Sequence, residues 1–367
     1  MKPHTLDLAV LATLLAVSNA TKTATVTKHI PETHWRTKTH THTIQPSCPS
    51  SSTSPTSSST PSPYPSPNAT HYHGWPSISH LIVFGDSYTT TGFNVSGPQP
   101  NPSNPQGNPP YPGYTATNGP NWVDFLTTTY NKSFIETINL AHGGATVDSA
   151  LVAPYLPTVL SLKDQVETEY RPLYAGRPAG FEWTSEDTLF ALFLGINDVG
   201  NAYYRSNSSD IFAAELEVYA SLVDTLYGTG ARNFLFLNVP PVDRSPLTAA
   251  QGAASQAAEK VAIAAWNANV TALAANLTKS YKDATAFVFD TNAAFTQVLD
   301  NPASHVETAP YKNTTGYCDA YMNGTPTWYT FNASCTYSVD EYFWLNSLHP
   351  TFRMMNVTAQ EIVQQLS

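Results

Sequence analysis

The chain has 367 residues, a formal net charge of −10 and only 12% Asp, Glu, Lys and Arg, about half the ~25% share usual in globular proteins. The acidic balance and the lack of basic clusters exclude the electrostatics of a nucleic-acid binder. No stretch is long and apolar enough to span a bilayer.

In chain order, residues 1–20 read "MKPHTLDLAVLATLLAVSNA", with an apolar run from Leu8 to Val17 and small residues at Ser18 and Ala20. That is the pattern of a secretory signal peptide cut after Ala20. Residues 21–75 are dominated by Thr, Ser and Pro, as in "SCPSSSTSPTSSSTPSPYPSPNAT". Such a composition buries too little apolar surface to offset chain entropy and reads as a disordered, O-glycosylated stalk. His40 and His42 in this stretch read as solvated tail residues rather than metal ligands. Its lone Cys48 argues against a small disulfide-stapled module. A secreted, extracellular protein without stable membrane insertion is the expectation.

Residues 76–367 are long enough for one sizeable core. Five apolar runs, "SHLIVFGD" (79–86), "FIETINLA" (134–141), "TLFALFLG" (188–195), "NFLFLNVP" (233–240) and "TAFVFDT" (285–291), predict parallel strands buried on both faces. Helical patterns separate them at "NWVDFLTTTY", "LSLKDQVETEY", "DIFAAELEVYASLVDTLYGTG" and the Ala-rich segment from about 248 to 281. Strand alternating with helix predicts an α/β fold: a doubly wound, five-stranded parallel sheet flanked by helices, with ligands at the carboxyl ends of the strands. The proline-rich residues 96–120 form a long loop after the first strand, either a wall of a substrate cleft or a surface excursion.

Ten N-x-Ser/Thr sequons, at Asn68, Asn94, Asn131, Asn207, Asn269, Asn276, Asn313, Asn323, Asn332 and Asn356, predict a glycosylated surface on an exported chain. Cys318 and Cys335 are the only cysteines of the folded part. In an oxidising compartment they are expected to pair, stabilising by roughly 3 kcal/mol in the chain-entropy view.

Three strand ends carry chemistry-bearing residues. "VFGDSY" places Ser87 after the first strand, "NLAHGGAT" places Gly144 after the second, and "LGINDVGN" places Asn197 after the third. Each has a bland reading: a cap or turn for Ser87, a tight turn for the glycine pair, an Asx turn for Asn197. Together they can supply a hydroxyl nucleophile, a backbone N–H and a side-chain amide, the set that acyl transfer requires. A base is still needed. Of His80, His142, His305 and His349, the last opens the C-terminal segment in "YFWLNSLHPTF", from which it can reach the first strand end.

"FGDSYTTTG", "HGGAT", "GIND" and "SLHPT" resemble, in order and spacing, the four blocks of the SGNH (GDSL) hydrolases. The continuation after Ser87 and "FWLNSLHPT" are most similar to fungal acetylesterases of carbohydrate esterase family 16. The resemblance spans residues 75–367. It implies a three-layer sandwich with Ser87 as nucleophile and His349 as general base. It also implies an oxyanion hole made by the N–H groups of Ser87 and Gly144 and the side chain of Asn197. No metal and no organic cofactor are implied.

One position departs from the family pattern. The residue three before the histidine is usually aspartate and here is Asn346. The amide oxygen can orient the imidazole, a backbone carbonyl can do so, or an acid can approach from elsewhere, with Asp340, Glu341 and Asp290 as candidates. An amide turned the other way would favour the wrong tautomer.

The expected activity is hydrolysis of short acyl esters, foremost acetyl, on plant-wall oligosaccharides or other small esters. The alternatives are a lipase or lysophospholipase on longer acyl chains, and a catalytically decayed binding or wall protein. Trp75, Trp122, Tyr203, Tyr204 and Trp344 lie near the blocks, as sugar-stacking platforms or as core.

Overall fold

A computed structural model describes residues 70–367. The expected signal peptide, nearly all of the stalk, Cys48, Asn68, His40 and His42 lie outside the described residues. The stalk's expected end at 75 falls where the chain is already tied down. Trp75 is fully buried and Tyr72 packs against the core.

All five predicted strands form: β1 (His80–Gly85), β2 (Glu136–Asn139), β3 (Thr188–Phe193), β4 (Asn233–Leu237) and β5 (Thr285–Phe289). They make one sheet in the order β2-β1-β3-β4-β5, parallel at every pairing. Leu81, Ile82, Val83 and Phe84 are wholly buried, because β1 lies inside the sheet, between β2 and β3, and both its faces are covered. Each such side chain contributes about 1.5–3 kcal/mol.

One helical layer holds α1 (Trp122–Thr128), α8 (Thr291–Asp300) and α9 (Phe352–Leu366). The other holds α2 (Leu162–Asp164), α4 (Ile196–Ala202), α5 (Ser208–Gly228) and α7 (Ala253–Ser280). Helix α2 continues through a π-helical stretch, Gln165–Tyr170, into the short α3 (Arg171–Leu173), and α6 (Pro246–Ala249) precedes α7. On α7 the buried positions are Glu259, Ile263, Trp266, Val270, Leu273, Ala274 and Leu277, one stripe at three- and four-residue spacing. Its remaining alanines supply propensity, not packing.

The order of strand addition reverses between β1 and β3, with β2 to one side and β4 and β5 to the other, which makes their carboxyl ends the topological switch point of the sheet. The "GIND" segment was expected as a strand end and a turn; in the structure it enters α4 directly. Gly195 allows this, with φ of +120° and no room for a side chain, since a Cβ would lie 2.2 Å from the Trp266 indole nitrogen. Cys318 and Cys335 form the expected disulfide.

Candidate active site

The turn after β1 is built by Asp86. Its carbonyl accepts the N–H groups of Thr89 and Thr90, and its Oδ1 accepts that of Tyr88 at 2.9 Å. Ser87 is thereby held at the tip, partly exposed. Burial pushes the Asp86 carboxyl up to about 8, so at neutral pH little negative charge lies beneath the serine.

Gln165 braces the same turn from the π-helical stretch. Its Oε1 accepts Gly85 N–H at 3.0 Å and its Nε2 donates to Gly85 O at 2.9 Å. Gln165→Ala leaves the buried Gly85 N–H without a partner. The expected result is a loss of about 1–3 kcal/mol of stability, read as a lower urea midpoint at unchanged slope.

His349 is delivered by a short reversal. Leu345 N–H donates to His349 O at 2.8 Å, while Asn346 Oδ1 accepts the N–H groups of Leu348 at 3.0 Å and His349 at 2.9 Å. This is an Asx-type turn, and it curls the imidazole back over the amide that formed it. His349 Nδ1 lies 3.0 Å from the same Asn346 Oδ1, and Nε2 lies 2.8 Å from Ser87 Oγ. Because two backbone donors already point at that atom, it is the oxygen that faces the ring. Asn346 Nδ2 turns instead toward Met322 O, 3.4 Å away. Nδ1 must then carry the proton, leaving the Nε2 lone pair for the serine hydroxyl.

Tyr88 supports the loop by donating to Leu348 O at 2.6 Å, with its ring 5.5 Å from the imidazole. Desolvation pulls the His349 pKa down to about 4. The acids considered as replacements are engaged elsewhere. Asp340 pairs with Arg353 and Glu341 with Lys312, while Asp290 caps α8 and accepts from Asn238.

On the opposite side, Gly144 adopts a φ of +88°, and a Cβ there would lie 2.3 Å from the ring of Tyr155. Among the described residues, the N–H groups of Ser87 and Gly144 have no protein acceptor. Asn197, in the first turn of α4, places Nδ2 3.0 Å from Ala145 O and 3.4 Å from Asp86 Oδ2. One of its protons is therefore held firmly and the other only loosely.

The loop that carries Gly144 is gripped from below by two buried carboxyls. Val147 N–H donates to Asp198 Oδ1 and Asp148 N–H to Glu215 Oε2, each at 2.9 Å. Burial raises both carboxyl pKa values, and the charge of Asp198 raises that of Glu215 further. Sequence reasoning did not single out Gln165, Asp198 or Glu215. For Glu215 a signal existed, since it falls on the stripe of Phe212, Tyr219 and Leu222. Gln165 carries none, because an isolated glutamine in a polar helix looks solvated.

Trp75, Trp122 and Trp344 are core residues, which removes them as sugar platforms. Tyr203 is partly buried and donates to Gln251, whereas Tyr204 is exposed. Of the sequons, Asn94, Asn207, Asn269, Asn276, Asn323 and Asn332 are exposed, while Asn131, Asn313 and Asn356 are partly buried. No helix among the described residues is long and apolar enough to cross a membrane.

Fold and kinship together define a carboxylic ester hydrolase of the α/β class. The chain belongs to the GDSL-like lipase/acylhydrolase family, whose model matches residues 81–362. It is similar to an acetylesterase of Thermothelomyces thermophilus, 37% identical over 78% of this chain and 87% of that one. It also resembles an acetylesterase of Hypocrea jecorina, 24% identical over 78% of this chain and 88% of the other. Among solved structures, the acetylxylan esterase Axe2 of Geobacillus stearothermophilus aligns with a TM-score of 0.44 and 13% identity. That alignment covers 80% of this chain and 96% of Axe2, and a likeness at this level carries no weight for activity.

Proposed function

We propose that the protein is an exported serine esterase that removes acetyl and other short acyl groups from plant-wall oligosaccharides. The observation that carries this reading is the unbroken hydrogen-bond chain from Asn346 through His349 to Ser87. Ser87 Oγ attacks the ester carbonyl while His349 Nε2 takes its proton. The tetrahedral oxyanion is met by the N–H groups of Ser87 and Gly144 and by the loosely held proton of Asn197. His349 then returns the proton to the departing alcohol, leaving an acyl-serine. Water, deprotonated by the same imidazole, releases the acid. Each donor of such a hole is typically worth about 10²–10³-fold in rate.

A short acyl group is in keeping with the small size of the cavity beside Asn197 and Leu348, about 70 Å³, whose walls include Ile196, Val242 and Leu247 with the polar Thr248, Gln251 and Glu259, but not Ser87 or Gly144. That is far below the ~300–1,000 Å³ of clefts that enclose drug-sized ligands. The similarity to two acetylesterases points the same way. Export is supported by the leader-like first 20 residues and the sequons, together with the disulfide.

Rates on 4-nitrophenyl acetate, butyrate and octanoate test the reading. The expected order falls steeply from acetate to octanoate, and a maximum at octanoate would replace the acetylesterase reading with a lipase. A serine-directed phosphonate is expected to label the wild type and not Ser87→Ala. An unlabelled wild type would mean a non-catalytic protein.

A further inference from the structure

We infer that the groove between residues 112–119 and residues 322–328 is the subsite for the leaving alcohol, a neutral oligosaccharide, with Tyr114 as its stacking platform. The inference rests on the esterase reading above and adds to it where the sugar binds. At about 760 Å³ the groove is in the range of sites that enclose whole ligands, ~300–1,000 Å³, and takes more than one pyranose ring. Asn346 lines it, and the other side of that residue holds the His349 ring. The alcohol must leave on the side of the imidazole, because His349 returns the proton to it.

The lining chemistry selects the ligand class. No Asp, Glu, Lys, Arg or His side chain lines the groove among the described residues, so nothing there recognises a phosphate, a uronate or an ammonium group. Thr115, Asn118, Asn323 and Thr325 offer hydroxyls and amides, and Tyr114 and Trp328 offer aromatic faces. Uncharged donors and acceptors between aromatic faces match a pyranose, which has hydroxyls on its rim and C–H groups on its faces. An alkyl chain would strip water from these polar groups and offer no hydrogen bond in its place.

Both walls are held in shape before anything binds. Tyr114 is 77% exposed, yet its N–H donates to Thr91 O at 2.8 Å. Its ring lies over Gly92, where a Cβ would come within 2.8 Å of it. The opposite wall lies inside the loop closed by Cys318–Cys335. Asn118 joins the two walls, accepting from Thr325 N at 2.7 Å and donating to Thr325 Oγ1 at 2.9 Å. A fixed, exposed aromatic ring loses little entropy when a ligand covers it.

The test compares kcat/KM on acetylated xylotetraose with kcat/KM on 4-nitrophenyl acetate. In Tyr114→Ala the ratio of the two is expected to fall about tenfold, through KM for the oligosaccharide, and Tyr114→Phe is expected to restore it. An unchanged ratio in Tyr114→Ala, or no rescue by Phe, overturns the groove assignment. Asn323 heads a sequon on the same wall. A ratio that rises in Asn323→Gln would show the chain's own glycan filling the groove, which also overturns it. A wild type that fails to hydrolyse 4-nitrophenyl acetate sinks the esterase reading instead, so the two failures are told apart.

Discussion

Ser87→Ala and His349→Ala are each expected to lower kcat/KM on 4-nitrophenyl acetate by about 10⁴–10⁶-fold, and the double variant by no more than either alone. The hydroxyl and the imidazole are 2.8 Å apart, and in the proposed mechanism they act as one unit, because each is of use only while the other moves the proton. Effects of such residues are grossly non-additive. What survives is the contribution of binding and of the oxyanion donors, about 10³–10⁴-fold over water in the well-studied serine proteases. The donors proposed here are the backbone N–H groups of Ser87 and Gly144 and the side chain of Asn197, so neither substitution removes them. Steady-state rates of the four proteins check this. Additive losses, or a His349→Ala enzyme within about 10²-fold of wild type, would show that another group takes the serine proton.

Much of this arrangement was legible in the sequence, for identifiable reasons. The strands could be read because a parallel sheet covered on both faces demands continuous apolar runs, and "HLIVFG" and "TLFALF" are of that kind. Their carboxyl ends then locate Ser87, Gly144 and Asn197 without coordinates. Helix α4 was hidden because Gly195 reads as a breaker, and only the Trp266 ring against it explains why a glycine starts a helix there. The grip of Gln165 on Gly85, across 80 residues of chain, leaves no periodic trace. The partner of His349 was undecidable for the same kind of reason. The choice among amide, carbonyl and distant acid depends on where Leu348 and His349 point their N–H groups, and these bonds exist only in the folded turn.

Asn346→Asp is expected to shift the acid limb of kcat/KM upward, from about pH 4 toward or past the ordinary histidine value of ~6.5. The sign follows from the protonation states. As the proposed base His349 acts only when neutral, and burial pulls its pKa down to about 4. The wild type therefore keeps its base available in mildly acidic medium. A carboxylate 3.0 Å from Nδ1, in the place of the amide oxygen, favours the imidazolium and raises that pKa. At pH 5 the variant loses most of its activity, whereas at pH 8, where both rings are neutral, the loss is small. Asn346→Ala acts differently. It removes the acceptor of Nδ1 and of two backbone N–H groups at once, so ring and turn both loosen. Its kcat is expected to fall about 10²-fold at every pH, less than the ~10⁴-fold of a wrong tautomer. Full pH profiles of the three enzymes on 4-nitrophenyl acetate separate the cases. A limb that stays put in Asn346→Asp would mean that the amide oxygen does not face the imidazole in the working enzyme.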